Sequence, residues 1–360
     1  MRHRKRCAKH GFTAIELLVS IAVVTVLLAL FLPAVSAVRE SARRVECTNR
    51  LRNVAVGILS LEQTKGMFPA ASVRGRYPNG ETLDRRNWVV DVLPYLEQKN
   101  VADHWLTEES RTHPANVALA QTHIMSLVCP SDISATGGGD LSFVLNGGIG
   151  SWARNMEGGC DAVADSDFQT VDLNGDGIWC HPIADFPPDL VIHFQLALFF
   201  IAAEVDGSAR TPRTPLNLRH YSIAHVTDGA SNTMLGTENI RTGADPEILS
   251  NNWSSSDPRR TLFHFSSSIC RERTCTDENV DLAAANSGVA GINAGRNKAE
   301  GESPHPSSFH TGGVNIAFVD GSVKFVSEKL DGRVYFCLFS PQGNKLQGTS
   351  LDGGIVGSNF

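Results

Sequence analysis

The eight cysteines of this 360-residue chain form no CxxC pair, which argues against a zinc ribbon. There is no GxxxxGK loop to cradle phosphates and no GxSxG elbow to present a nucleophile. No internal repeat marks a solenoid or propeller. Positive charge is also scarce outside one short segment. The net charge is −6, yet the first eleven residues hold Arg2, Arg4, Lys5, Arg6 and Lys9 and no acid. Taking those five cations away from −6 leaves −11 for the remainder. So acidic a body is unsuited to nucleic acid, whose phosphates need Lys and Arg. It suits a soluble surface domain that attracts cations. The composition, 42% hydrophobic and 19% charged, is that of a globular protein with ample length for a core.

One long apolar run is present. Phe12 to Leu32 reads FTAIELLVSIAVVTVLLALFL, with Glu16 as its sole charge. As a helix it spans about 30 Å, the thickness of a bilayer core. A secretory signal would have a shorter apolar stretch with a small-residue cleavage site after it. Here the basic residues end at Gly11 and the apolar run starts at once. A carboxylate this deep costs about 2.5–3.5 kcal/mol on insertion scales, so Glu16 calls for a partner. Five arginines after the span (39, 43, 44, 50 and 52) match the five leading cations in number, so charge asymmetry does not set the orientation. Pro33 is a candidate kink. Beyond it Leu51, Val54, Ala55, Ile58 and Leu61 follow helical spacing, with Arg50, Arg52 and Asn53 off that stripe. Gly66 and Pro69 mark the end of the run.

The stretch KHGFTAIELLVSIAVVTVLLALFLPAV resembles the N-terminus of type IV prepilins and type II secretion pseudopilins. The resemblance implies cleavage by prepilin peptidase after Gly11 and methylation of the new terminus, Phe12. It implies that Glu16 meets a neighbouring subunit's N-terminus in an assembled fibre. A buried carboxylate and a buried ammonium would then offset each other's desolvation. It also implies that the leader lies inside and the rest outside the inner membrane.

Residues 305–327 read HPSSFHTGGVNIAFVDGSVKFVS. Val314, Ile316 and Phe318 alternate with Asn315, Ala317 and Val319. Asp320-Gly321 then reads as a two-residue turn before Val323 and Phe325, a strong hairpin signal. His310 is followed by nine residues and then Asp320-Gly321. This H-x9-DG element resembles the end of DUF1559 proteins, prepilin-type bacterial proteins of unassigned function. Cys129-Pro130-Ser131-Asp132 resembles that family's CPSD. Thr227-Asp228-Gly229-Ala230-Ser231-Asn232-Thr233, followed by Glu238, resembles its DGTSNT…E, with Ala230 in place of the usual Thr. Trp88 and Leu93-Pro94-Tyr95-Leu96-Glu97 resemble its W…LPYLEQ. Turn chemistry alone accounts for Asp320 and Gly321. His310 is open to two readings, a loop-bonding histidine or, with Asp320, a catalytic or ligating pair.

In the middle of the chain, VDLNGDGIWC places Asp172, Asn174 and Asp176 two apart, with Gly177 next. Oxygen ligands at that spacing on a tight turn fit the first half of a calcium loop. Ile183 stands at the twelfth position, where an EF-hand has Glu, so an EF-hand is not supported. An isolated calcium loop and a plain Asn-Gly/Asp-Gly turn both stay open. Calcium is the one cofactor the sequence suggests. Losing Cys7 with the leader leaves seven cysteines, an odd number, with Cys160/Cys180 and Cys270/Cys275 close in sequence. LVIHFQLALFFIAAEV, residues 190–205, is too short and polar for a span and reads as a buried element of the head.

The expected fold is α+β and pilin-like. A leader at 1–11 precedes a helix over 12–66, whose second half packs on the antiparallel sheet of a head at 67–360. The expected function is structural: a membrane-anchored pilin or pseudopilin subunit, with prepilin peptidase, other pilin-like subunits and the inner membrane as partners. The rival is a calcium-dependent surface module that uses the same anchor without polymerising. Among His310, Asp320, Asp228 and Glu238 no nucleophile–base arrangement is visible, so no enzyme activity is expected.

Overall fold

The computed structural model describes residues 13–76, 82–135, 137–148, 152–154, 160–162, 195–203, 221–240, 252–265, 269, 278, 280–298, 302–346 and 351. Gly11 and Phe12, the calcium-loop residues Asp172, Asn174 and Asp176, and Cys180, Cys270 and Cys275 lie outside the described residues. The chain divides into two units, Met1–Val45 and Glu46–Phe360.

Helix α1 runs Ala14–Lys65 and continues through Pro33. In the first unit it opens with a capping box. The Thr13 hydroxyl accepts from the Glu16 N–H at 3.3 Å, and Glu16 Oε2 accepts from the Thr13 N–H at 2.8 Å. The Thr13 hydroxyl also donates to Glu16 Oε2 at 2.8 Å. Ile15, Leu18, Leu30, Phe31 and Leu32 are all exposed. The helix is long and apolar enough to cross a membrane, and its most apolar stretch buries nothing within the protein.

The second unit begins on the same helix with a different pattern. Cys47, Leu51, Val54, Ala55, Gly57, Ile58 and Leu61 are buried, the stripe expected from sequence extended one turn back by Cys47. Arg52 and Asn53 point to solvent. Arg50 leaves the stripe but is half-buried, its guanidinium donating to the carbonyls of Met125 and Val128 at 2.9 and 2.8 Å. Gly66 closes the helix in the left-handed region, φ 73°, its N–H bonding the Glu62 carbonyl.

Strands β1 (Ser72–Arg76) and β2 (Thr82–Asn87) pair antiparallel. Asn87 caps the short helix α2 (Trp88–Val92) and sends its Nδ2 to the carbonyls of Trp253 and Ser255. Leu93–Leu96 form a 3-10 turn, followed by α3 (Lys99–His104) and α4 (Pro114–Ala120). The buried side chains of this segment share one core with the α1 stripe and with Phe143, Leu145, Leu235, Ala317 and Val319. This is the packing of helix on sheet that the stripe predicts.

The later strands are β3 (Phe143–Asn146), β4 (Trp152–Arg154), β5 (Cys160–Ala162), β6 (Ile201–Ala203) and β7 (Met234–Glu238). Helix α5 (Pro258–Thr261) leads into β8 (Leu262–Phe263), then come β9 (Gly313–Phe318), β10 (Val323–Ser327) and helix α6 (Gly332–Phe339). Five of the strands form a sheet in the order β10-β9-β7-β3-β8. Neighbours are antiparallel except β3 and β8, which run parallel. β6 likewise joins β1 in parallel. The sheet content is therefore mixed, and the fold is α+β rather than purely antiparallel on its strand side. Leu196, Ala197, Leu198 and Phe199 are buried, as expected of that apolar stretch.

The hairpin β9–β10 forms with a longer turn than predicted. Ala317 pairs with Val323, and the Phe318 N–H reaches the Ser322 carbonyl, leaving Val319, Asp320 and Gly321 as the loop. A two-residue type I′ turn needs positive φ at both Asp320 and Gly321. Only Gly321 has it, φ 80°, which is the geometry of a three-residue loop.

A second core lies on the other side of the sheet, with Phe263, Phe265 and Ile316 against Tyr335, Phe336 and Phe339 of α6. Phe265 and Phe339 meet edge to face at 4.8 Å. His264, between Phe263 and Phe265 in sequence, is 1% exposed, and burial, with His305 beside it, pushes its imidazole down to about 3 from 6.5. Contacts to the Gly148 and Gly147 backbone and the charge of Asp257 oppose that shift. The unfolded chain binds a proton that the folded one refuses, so stability is lost as pH falls below 6.5. The loss approaches about 1.4 kcal/mol per pH unit. Urea midpoints measured between neutral and mildly acidic pH are expected to show this slope, and His264→Gln to flatten it. An unchanged slope in the variant would assign the acid sensitivity elsewhere.

Candidate functional site

Four segments far apart in sequence bring their side chains to one buried point. Cys47 comes from α1 and Cys129 from a turn over residues 129–132. Glu238 is the last residue of β7, and His310 stands in the loop before β9. None of the four is more than 2% exposed. Their ligand-type atoms all lie within 4.8 Å of one another. Cys47 and Cys129 are paired as a disulfide with Cα atoms 4.9 Å apart. The Cys47 sulfur touches Glu238 Oε1. His310 Nε2 stands 3.2 Å from Glu238 Oε1 and 3.6 Å from the Cys129 sulfur.

Each arm is fixed by its local chemistry. Cys129-Pro130-Ser131-Asp132 is a turn closed by the Asp132 N–H to the Cys129 carbonyl at 2.9 Å, with Pro at its second position. Asp132 accepts from Ser134 and from the Ser142 hydroxyl, while burial pushes its carboxyl above the usual range. At the end of the β7–β9 ladder, Glu238 replaces the missing backbone partner. Its Oε2 accepts from the Asn315 N–H at 2.7 Å and its Oε1 from Asn315 Nδ2 at 3.1 Å. The Thr237 hydroxyl donates to the Asn315 carbonyl, and the Thr48 hydroxyl to Asn315 Oδ1. His310 is held through its backbone. Arg296 donates to the carbonyls of Ser308 and His310 at 2.6 and 2.7 Å, and the His310 N–H reaches the Ser308 hydroxyl.

His310 and Asp320 are not brought together. His310 is 1% exposed in the cluster, whereas Asp320 is exposed at the hairpin tip, with the six residues of β9 between them, about 20 Å of strand. Asp320 shapes the turn instead, accepting from the Ser322 N–H at 2.8 Å. Its own N–H and that of Val319 bond the carbonyls of Ala230 and Thr233, so the Asp228–Thr233 turn supports the hairpin. Asp228 in turn accepts from the N–H groups of Gly343 and Asn344 at 2.5 and 3.2 Å, pinning the segment after α6. Glu16 has the Thr13 capping box described above. Trp88 is fully buried, its Nε1 donating to the Thr261 carbonyl at 3.1 Å.

Sequence reasoning missed the cluster as a unit. The CPSD, the glutamate after DGASNT and the H-x9-DG element each carry one group able to ligate or cross-link, and Cys47 continues the buried α1 stripe. Their shared location was the unread signal. Closeness in sequence singled out Cys160/Cys180 and Cys270/Cys275 and gave no sign of the Cys47–Cys129 link, which spans 82 residues.

A family model described as a protein of unknown function, DUF1559, matches residues 36–333. The chain belongs to that family. The match includes all four cluster residues, Trp88, Asp228 and the H-x9-DG element of this DUF1559 protein. No curated protein and no solved structure matches it.

Proposed function

We propose that this DUF1559 protein is a pilin-like structural subunit. Prepilin peptidase removes its leader after Gly11 and methylates Phe12. The apolar part of α1 holds it in the inner membrane with the head outside. From there it enters a type IV pilus-like or type II secretion fibre. The observation that carries this reading is the apolar part of α1. Fifteen large apolar side chains from Ile15 to Val38 are exposed on it. At about 1.5 kcal/mol or more each, covering them gains on the order of 20 kcal/mol or more. Lipid before assembly and a bundle of like helices after it both supply that cover. Glu16 suits such a transfer, since the capping box occupies its carboxylate until an ammonium is offered. The head's cross-linked cluster, closed to solvent, suits a load-bearing domain.

The test is N-terminal mass analysis of protein from its native membrane and from sheared surface material, beside Gly11→Ala. A mature chain starting at methylated Phe12 is expected in the sheared fraction, with Gly11→Ala retaining its leader and absent from that fraction. An uncut chain starting at Met1 and confined to the membrane would overturn the reading and leave an anchored surface module.

A further inference from the structure

The cluster at Cys47, Cys129, Glu238 and His310 contains more than a disulfide needs. A disulfide sulfur carries lone pairs and no proton, yet the Cys47 sulfur lies against a buried carboxylate oxygen. His310 Nε2 faces both that oxygen and the Cys129 sulfur, and one imidazole nitrogen holds at most one proton. The Asn315 N–H and Nδ2 donate to that carboxylate, and a second electron-rich atom buried against it is still costly. One cation at the centre satisfies all four at once.

We propose that, with Cys47 and Cys129 as thiolates, these four side chains bind one divalent ion of the zinc class. The donor set decides the class. Two thiolates and an imidazole select zinc over calcium or magnesium, which take oxygen ligands. The two distances from His310 fit as well. Bonds of about 2.0–2.3 Å in a tetrahedron put ligand atoms about 3.3–3.7 Å apart. His310 Nε2 stands 3.6 Å from the Cys129 sulfur and 3.2 Å from Glu238 Oε1. Both thiols release their protons to solvent on binding, and His310 binds as the neutral imidazole. Two thiolates and a carboxylate against one dication leave a net −1, which the two Asn315 donors temper. Those donors also orient Glu238, as outer hydrogen bonds do around metal ligands. Four protein ligands and burial from solvent leave no open position, so the ion is structural. It ties α1, the 129–132 turn, β7 and the loop before β9 together. The metal-bound and disulfide states exclude each other. This inference is independent of the pilin reading, because all four residues lie within the second unit.

The experiment uses the full chain in detergent, purified without oxidant, with metal content measured by plasma mass spectrometry. About one zinc per chain is expected. Cobalt should replace it with a thiolate-to-metal charge-transfer band and the visible bands of a tetrahedral site. His310→Ala and Cys129→Ala should each weaken binding by about tenfold or more. Where these variants fail to fold, His310→Cys decides. It should keep the metal and intensify the charge-transfer band. Two results would overturn the proposal. One is a folded, reduced chain that takes up neither zinc nor cobalt, with Cys47 and Cys129 recovered as a disulfide from the native membrane. The other is undiminished metal binding in folded His310→Ala or Cys129→Ala, or a cobalt spectrum that His310→Cys leaves unchanged.

Discussion

Glu238→Ala is expected to lower the stability of the head by about 2–6 kcal/mol, because two buried donors lose their acceptor at about 1–3 kcal/mol each. The carboxylate is fully buried and is the acceptor for both the backbone N–H and the side-chain amide of Asn315. Removing it strands a buried backbone donor, worth about 1–3 kcal/mol by itself. It also leaves His310 Nε2 without the oxygen that stands 3.2 Å away. Glu238→Gln keeps the shape and one acceptor oxygen, so a smaller loss is expected. Urea unfolding of the full chain in detergent checks this through the midpoint, provided the slope is unchanged. A loss in Glu238→Ala below about 1 kcal/mol, the scale of a single ordinary hydrogen bond, would show that the cluster is not a stabilising centre.

Trp88→Ala is expected to cost about as much, about 3–5 kcal/mol, by a different route. The indole is fully buried in the core shared with the α1 stripe, and its Nε1 bonds the Thr261 carbonyl at 3.1 Å. Truncation opens a cavity and frees that carbonyl together. Trp88→Phe retains most of the buried area and should lose much less. Arg52→Ala, on the exposed face of α1, is the control and should stay within about 0.5 kcal/mol of the parent. The same unfolding measurement reads all three. Equal effects in Trp88→Ala and Arg52→Ala would deny Trp88 its place in the core.

What the sequence made legible was local. The α1 stripe from Leu51 to Leu61, the stop at Gly66 and the β9–β10 hairpin all follow from spacing and turn residues, which report on neighbours in the chain. The number of loop residues in the hairpin did not follow. Asp-Gly fits both a two-residue and a three-residue turn, and only the φ of Asp320 separates them. The parallel partners β3–β8 and β1–β6 were invisible for a related reason, since pairing between distant strands leaves no periodic trace. The candidate site was legible in pieces. Cys129, Glu238 and His310 each stood in a recognisable motif, but their meeting depends on the sheet order that sets β7 between β9 and β3. His310 and Asp320 looked like a pair because the motif joins them in sequence. A strand of six residues keeps them apart.

Cys47 is the first buried residue along α1, and in the disulfide state it is bonded to Cys129. A tensile load arriving down the apolar segment therefore meets a covalent branch at the threshold of the head. If the head is anchored beyond Cys129, the force crosses the sulfur link and bypasses the rest of α1, β1, β2 and the short helices. Those elements form a slack loop around the link, carrying no tension while it holds. Cutting the link would put the full 82-residue separation in series with the pull, turning a short rigid coupling into an extensible one.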